Sequence, residues 1–236
     1  MAQKAQANAA HEGVTVAFLG DSVTQGCFEV YKKLDGNIEA VFDKRHAYSQ
    51  AFADMLSLLY PSVPVNILNA GISGDNAPGG LKRLERDVLR HEPDLVVVCY
   101  GLNDCGGGDD GIARYHDALV KIIEKLKAAG SAVIVMTPQP ICARVHTQLR
   151  GEWLRGYAKT LSEKFADGGF DRYMQAARAA AEETCVSLCD VYAKWMAMYR
   201  SGVDITDLLS NYLNHPTREM HQLFASSLID TLFMGS

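Results

Sequence analysis

Five short runs of consecutive apolar residues are spaced along the chain, and each is rich in valine, isoleucine and leucine. A brief, continuous run of this kind is typical of a β-strand that is buried on both faces, as in a parallel sheet. The runs occupy residues 14–20, 65–71, 94–101, 132–138 and 186–191. The pattern therefore predicts five parallel strands.

Longer segments with a helical period lie between these runs and after them. Their apolar residues recur three and four positions apart, with polar residues on the other face, which is the pattern of an amphipathic helix. The segments are residues 46–60, 79–91, 112–130, 173–184 and 217–233. This alternation favours right-handed crossovers and an α/β fold with a doubly wound parallel sheet.

One segment interrupts the alternation. Residues 138–170 are longer than an ordinary connection from a strand to a helix. An insertion after a strand of an open sheet lies at the edge where ligands bind, so the segment is a candidate lid or substrate wall. An extra surface helix without a function is the alternative. No repeat or linker divides the chain, and we predict a flexible polar segment over residues 1–12 and a single domain over residues 13–236.

Composition narrows the functional classes. The 236 residues carry a net charge of −5 with scattered lysines and arginines, which argues against nucleic acid or an anionic membrane as a partner. No apolar run is long enough to span a membrane, and no signal peptide is visible, so we expect a cytoplasmic location, although a trimmed export signal would leave the same sequence. The six cysteines form no CxxC pair, so neither a metal site nor a disulfide framework is predicted. Homo-oligomerisation is left open.

Chemically useful residues follow the strands of the predicted sheet. Ser22 comes after the first strand, Gly71 ends the second and Asn103 follows the third. Because the carboxyl ends of parallel strands lie at one edge of a sheet, we expect these residues to be neighbours. His215 arrives near the C-terminus, directly before Pro216, which can start the last helix.

Ester hydrolysis requires these residue types. A serine hydroxyl becomes a nucleophile when a base removes its proton, and the oxyanion that forms next needs hydrogen-bond donors already aimed at it. We predict that Ser22 is the nucleophile and His215 the base. The backbone N–H groups of Ser22 and Gly71 and the side-chain amide of Asn103 are the predicted oxyanion hole.

Four stretches resemble the sequence blocks of the GDSL, or SGNH, hydrolases. In chain order they are GDSVTQG at 20–26, NAGISGDNA at 69–77, GLND at 101–104 and NHPT at 214–217. Together they span nearly the whole chain. The resemblance implies a flavodoxin-like three-layer α/β/α sandwich with a five-stranded parallel sheet, and a serine esterase or lipase mechanism without a metal or organic cofactor. The GxSxG elbow of the α/β-hydrolases is absent, which agrees with this family.

One position departs from the family's pattern. The family has an aspartate three residues before the histidine, where this chain has Tyr212. The candidates to orient the imidazole instead are the side-chain oxygen of Asn211, the carboxylates of Asp207 or Asp204, and a backbone carbonyl in a Ser–His dyad. We favour Asn211, whose amide would fix the tautomer but would bring no negative charge to the imidazolium.

The substrate is predicted from two insertions near the site, of which the first is residues 27–50 and the second is residues 138–170. Asp21, Arg144 and Trp153 are candidate substrate-binding residues, with a structural role in the turn as the other interpretation of Asp21. Aromatic side chains there can stack on a sugar, and nothing forms a long apolar channel. We therefore predict hydrolysis of a small acyl ester, acetate first, on a carbohydrate. Short-chain lysophospholipids or thioesters come second.

Two alternatives belong to other functional classes. The glycine-rich residues 74–80 and 105–111 could hold the phosphate of a nucleotide or flavin, but they lack the spacing of nucleotide-binding loops and lie among aspartates that repel phosphate. The second alternative is a catalytically impaired family member that only binds a sugar. The absence of the family's aspartate at Tyr212 favours this second alternative.

Overall fold

The structure is a computed structural model that describes residues 1–33 and 35–234. Leu34 and the last two residues of the predicted domain, Gly235 and Ser236, lie outside the described residues. The strands are β1 (Val14–Gly20), β2 (Cys27–Lys32), β3 (Ile38–Phe42), β4 (Val65–Gly71), β5 (Leu95–Cys99), β6 (Ala132–Thr137) and β7 (Ser187–Asp190).

Five of these strands form one parallel sheet in the order β4-β1-β5-β6-β7. They are the five apolar runs of the sequence, so the predicted doubly wound α/β fold is confirmed. The chain passes from β1 outward to β4, returns across β1 to β5 and then continues outward to β7, which is the flavodoxin-like order. In such a sheet ligands bind outside the carboxyl ends of the strands where the winding direction reverses, here β1 and β5.

Helices cover both faces of the sheet and complete the three layers. They are α1 (Ala2–Gln6), α2 (Ser22–Gln25), α3 (Tyr48–Leu59), α4 (Ala77–Asp87), α5 (Gly111–Ala128), α6 (Glu152–Ala166), α7 (Gly169–Glu183), α8 (Val191–Arg200) and α9 (Arg218–Met234). α3 packs with α9, and α5 packs with α4 and α7 as a second group. The longer helices present an apolar stripe to the sheet, as their sequence period predicts.

The register of the sheet sets the height at which the loops of the site begin. Gly20, the last residue of β1, lies opposite Gly71 of β4 and Cys99 of β5. The loops after these three strands therefore leave the sheet at the same level. Beneath them β5 is completely enclosed, since Val96 and Val97 have no exposed surface.

Three parts of the fold were not predicted from the periodicity. β2 and β3 pair as an antiparallel hairpin within the first insertion. The polar segment 1–12 contains the short helix α1. The insertion 138–170 divides into an irregular stretch with many buried residues, 138–151, and the largely exposed helix α6. Within the described residues, no helix is both long and apolar enough to cross a membrane.

Candidate active site

Ser22 is the first residue of the short helix α2, directly after β1. Asp21 caps this helix, because its Oδ1 accepts a hydrogen bond from the backbone N–H of Val23 at 3.0 Å. Gly26 ends the helix with a φ of 88°, a left-handed conformation that glycine adopts without steric cost. The strand, the cap and the terminal glycine thus fix the position of the Ser22 hydroxyl.

The structure brings Ser22 and His215 into direct contact. Ser22 Oγ lies 2.9 Å from His215 Nε2, and His215 Nδ1 lies 3.0 Å from the backbone carbonyl oxygen of Phe28. A carbonyl can only accept a hydrogen bond, so Nδ1 must carry the ring proton. Nε2 is then the acceptor for the Ser22 hydroxyl, which is the arrangement that a general base needs.

Burial controls the protonation of His215, whose residue surface is only 5% exposed. Desolvation lowers the pKa of the imidazole to about 4, although the hydrogen bond to Phe28 and the charge of Glu29 act in the opposite direction. His215 is therefore neutral at pH 7. A neutral imidazole is the form that can take a proton from serine.

Asn211 does not orient the imidazole, which corrects our favoured assignment. Its Oδ1 accepts hydrogen bonds from the backbone N–H groups of Leu213, Asn214 and His215, each at 3.0 Å. Its Nδ2 donates to Asn214 Oδ1. All of these bonds are local, so Asn211 folds the loop that carries the histidine and has no contact with the ring nitrogens.

The two upstream aspartates are also engaged elsewhere. Arg144 donates to Asp204 at 2.5 Å and to Asp207 at 2.8 Å, and His146 Nε2 lies 3.1 Å from Asp207. Neither carboxylate contacts His215. Arg144, a predicted substrate-binding residue, is itself occupied by this ion-pair cluster.

The group that contacts His215 Nδ1 is the backbone carbonyl of Phe28. A backbone carbonyl was the last of the candidates that the sequence left open. The same oxygen accepts a hydrogen bond from Ser210 Oγ at 2.8 Å. Arg218 holds this part of β2 in place, with its guanidinium 4.3 Å from the centre of the Phe28 ring and both amino groups on the Glu29 carboxylate. A backbone group on a strand 187 residues away leaves no signature in the local sequence.

Gly71 does not present its N–H to the site, which corrects its predicted role as an oxyanion donor. That N–H donates to Asn69 Oδ1 at 3.0 Å. A Cβ at Gly71 would lie 2.3 Å from the backbone nitrogen of Gln25, so glycine is needed here for the close approach of β4 to α2. Among the described residues, the backbone N–H of Ser22 has no hydrogen-bond partner.

Gly74, which the sequence reasoning missed, lies in the same loop. Its neighbours on both sides are fixed, because the Ser73 N–H donates to Gln25 and the Asp75 carbonyl accepts from Asn103 Nδ2 at 2.8 Å. Within the described part of the chain, the Gly74 N–H has no acceptor, and a Cβ on Gly74 would meet open space. The sequence feature that could have indicated Gly74 is the second glycine of NAGISG. In the structure this glycine has a φ of 78°.

Arg83 ties the strand ends together beneath these loops. It donates to the carbonyl oxygens of Gly20 at 3.0 Å and Ala70 at 2.7 Å, to Asp75 at 2.6 Å and to the Tyr100 hydroxyl at 2.8 Å. Its residue surface is only 8% exposed. This role could not be predicted, since an arginine on an amphipathic helix is ordinarily a surface residue.

Asp21 is buried, with 2% of its surface exposed, and its cap of α2 supports the structural interpretation rather than substrate binding. Burial raises the pKa of its carboxyl group to about 7. The Val23 N–H opposes this shift, and the charges of Asp104 and Asp75 add to it. A carboxyl group next to the nucleophile is therefore partly protonated near neutral pH.

Trp153 lies on the exposed side of α6, with 49% of its surface accessible. Its ring is nearly parallel to that of Tyr157, with the two ring centres 6.4 Å apart. It has no described contact with Ser22 or His215, and its role in substrate binding stays a prediction.

The sequence is similar to those of known proteins. The sequence profile described as GDSL-like Lipase/Acylhydrolase family matches residues 18–223. An acetylxylan esterase of Geobacillus stearothermophilus is 27% identical over 135 residues, which are 53% of this chain and 60% of that protein. Esterase TesA of Pseudomonas aeruginosa is 36% identical over 70 residues, 30% of this chain and 34% of its own length. The chain thus matches less than two thirds of the length of these relatives.

Solved structures extend the similarity over nearly the whole fold. Axe2, an acetylxylan esterase from Geobacillus stearothermophilus, superposes with a TM-score of 0.68 at 20% identity, covering 94% of this chain and 95% of that chain. The acetyl xylan esterase AlAXEase gives a TM-score of 0.69 at 20% identity, covering 93% and 100%. At this level of identity the likeness is one of fold.

Proposed function

The chain belongs to the GDSL-like lipase/acylhydrolase family, and from that premise we propose that it is a serine esterase that removes a small acyl group, acetyl first, from a carbohydrate. The contact between Ser22 Oγ and His215 Nε2, at 2.9 Å, is the observation that carries this proposal. Hydrolysis by such a pair proceeds through an acyl-enzyme in two steps.

In the first step the Ser22 oxygen attacks the ester carbonyl carbon while His215 Nε2 takes the serine proton. The tetrahedral intermediate collapses, the C–O bond to the alcohol breaks, and Nε2 returns the proton to the departing sugar hydroxyl. In the second step water attacks the acyl-enzyme, again losing its proton to Nε2. Acetate then leaves and Ser22 regains its proton.

The Phe28 carbonyl supports His215 during both steps. It fixes the tautomer in which Nε2 is free to accept, and its dipole faces the imidazolium that forms. The nearby charge of Glu29 also favours the imidazolium. A carbonyl carries no full charge, so this pair is a Ser–His dyad with a dipole in place of an acid.

The oxyanion is stabilised by donors from three loops. We assign the backbone N–H of Ser22, the backbone N–H of Gly74 and the second amide hydrogen of Asn103, with Gly74 in place of Gly71. Asn103 is anchored by its first amide hydrogen, which donates to the Asp75 carbonyl. Each donor of this kind typically lowers the barrier by about 3 kcal/mol.

The names of the similar proteins support an acetylated carbohydrate as the substrate. Two structural neighbours of nearly full coverage are acetylxylan esterases, as is the curated relative from Geobacillus stearothermophilus. The exposed aromatic pair of Trp153 and Tyr157 offers a surface on which a sugar can stack.

The test is hydrolysis of 4-nitrophenyl acetate, butyrate and octanoate, together with acetate release from acetylated xylo-oligosaccharides, by the wild type and by Ser22→Ala. We expect acetate to be the best acyl group and the variant to lose about 1,000-fold or more in kcat. A preference for butyrate would favour the short-chain lysophospholipase or thioesterase alternative. Equal inactivity of both proteins on every ester would overturn the esterase assignment.

A further inference from the structure

A cavity of about 350 Å³ adjoins the loop that carries His215. Its walls are residues 29–32 of β2, residues 148–150 and Leu154 of the second insertion, and residues 210–212 of the histidine loop. Ligand pockets commonly measure about 300–1,000 Å³, so this cavity suits a compact ligand. Ser22 and His215 are not among the residues that line it.

Three hydrogen bonds in series connect the cavity wall to the nucleophile. Ser210, which forms part of the wall, donates to the Phe28 carbonyl, and that carbonyl accepts from His215 Nδ1. The opposite ring nitrogen lies 2.9 Å from Ser22 Oγ. A sugar in the cavity would therefore be a different unit of an oligosaccharide from the unit whose ester lies at Ser22.

Tyr212 is a rigid part of the cavity wall. Its φ is 56°, a left-handed conformation that is strained for a bulky residue and that persists only where the surroundings impose it. Its ring is stacked on His146, with ring centres 3.9 Å apart, and its hydroxyl donates to Gln148 at 3.0 Å. Strained residues cluster at binding sites. Tyr31, with 54% of its surface exposed, supplies a second aromatic ring to the same cavity.

The charged side chains on the cavity wall are Glu29, Lys32 and Arg150. Arg218 occupies both oxygens of Glu29. Among the ion pairs of the described residues, neither Lys32 nor Arg150 takes part, whereas the adjacent Lys33 pairs with Glu39 at 3.4 Å. On a chain of net charge −5, the cavity wall therefore carries two cations, Lys32 and Arg150, that form no ion pair with a carboxylate of the described residues.

Building on the proposed function, we propose that this cavity is a subsite for an acidic sugar, a uronic acid unit next to the acetylated one. The tyrosine rings offer stacking surfaces for a sugar ring. Arg150 and Lys32 can donate to the sugar's carboxylate, and a guanidinium does so through two parallel hydrogen bonds. The preferred substrate is then an acetylated oligosaccharide with a carboxylate one unit from the ester.

Calorimetric titration tests the subsite independently of catalysis. The probes are two deacetylated xylo-oligosaccharides of the same length, one with a glucuronic acid branch and one without. We expect the wild type to bind the acidic probe about tenfold more tightly at low salt, with the preference reduced to threefold or less at 0.5 M NaCl. Arg150→Gln and Lys32→Gln should each lower the preference, and the double variant should abolish it.

The matched controls remove a nearby charge that does not line the cavity. Arg155→Gln, on the exposed surface of α6, and Lys33→Gln should keep the wild-type preference. Equal affinity of the wild type for both probes, or a preference that survives in the double variant, would overturn the subsite. Failure of the esterase assignment is a separate result, because it appears only in the hydrolysis of 4-nitrophenyl acetate.

Discussion

The two halves of the candidate site are held by different means. The nucleophile half, with Ser22, Gly74 and Asn103, stands on the ends of three neighbouring strands. The histidine half is the loop of residues 209–217. Its β-structure is a single isolated bridge between Leu209 and Pro216. One half takes its position from the sheet, and the other from individual hydrogen bonds.

The nucleophile half is reinforced from below. Arg83 links the carbonyls of Gly20 and Ala70 to Asp75, so the ends of β1 and β4 and the loop that holds Gly74 share one side chain. A displacement of this arginine would break hydrogen bonds at the carboxyl ends of both strands. The folding of the domain and the position of the nucleophile therefore depend on the same contacts.

The histidine half is held by hydrogen bonds to its backbone carbonyls. The N–H of Ser210 donates to the carbonyl of His215 at 2.7 Å, and the N–H of Cys142 donates to that of Leu213 at 2.7 Å. Gln139 donates to Asn214. We therefore expect that the histidine can be displaced without unfolding the domain, whereas a displacement of the nucleophile half would disturb the sheet.

Arg83→Gln should have the largest effect on the free energy of unfolding. It removes the buried guanidinium from the partly buried Asp75, and breaking a buried pair typically costs about 3–5 kcal/mol. Urea denaturation measures the loss. Arg86→Gln on the same helix is the control, since Arg86 is exposed and its ion pair is with Asp87 alone. Equal stability of the two variants would show that the network beneath the strand edge contributes little.

Asn211→Ala should lower both the activity and the stability of the domain. It removes the acceptor of three backbone N–H groups, and unsatisfied groups of this kind cost about 1–3 kcal/mol. The shifted His215 should lower kcat/KM for 4-nitrophenyl acetate by about 10- to 100-fold. Asn211→Asp keeps the acceptor and should restore most of the activity. If alanine and aspartate variants are equally slow, the amide acts on the reaction in another way.

The smallest expected effect is the change of kcat/KM between pH 5.5 and pH 7. Since burial lowers the pKa of His215 to about 4, the base is lost only as the pH falls through about 4. We expect kcat/KM at pH 5.5 to lie within about twofold of its value at pH 7. The pH profile of kcat/KM for 4-nitrophenyl acetate measures this. A half-maximal rate near pH 6.5 would mean that the imidazole is as well hydrated as in water.

The lowered pKa of His215 also makes the stability of the folded protein depend on pH. The pKa of His215 is lower in the folded protein than the 6.5 of an unperturbed histidine, so the unfolded chain binds the proton more readily. The contribution of neutral His215 to stability is complete above pH 6.5 and is lost as the pH falls towards 4.

The sheet was predictable because its central strands, β1, β5 and β6, are largely buried on both faces. Runs such as residues 94–101 have no polar alternation, and no solvent-exposed element satisfies that pattern. Ser22, Asn103 and His215 could be singled out from the sequence, since two of them follow strands and the third lies in a block that resembles a family motif. The geometry brings Ser22 and His215 together across 193 residues of sequence.

The contacts that support these residues could not be predicted. The partner of His215 Nδ1 is the carbonyl of Phe28, and every residue carries a carbonyl, so no residue type indicates it. Asn211 was misassigned because a loop amide has several backbone donors within reach before it reaches a ring. Gly71 was assigned as a donor and Gly74 was missed, because either glycine fits a turn and only the fold shows which N–H is already occupied.

The claim that a backbone carbonyl, rather than an acid, is the third partner is tested most directly by the double variant Asp204→Asn and Asp207→Asn. Its kcat on 4-nitrophenyl acetate should stay within about threefold of the wild type, while His215→Ala loses about 1,000-fold or more. The amides keep the shape of the carboxylates. Loss of an acid that orients a catalytic histidine typically lowers kcat by about 10,000-fold, so a fall of that size in the double variant would contradict the account.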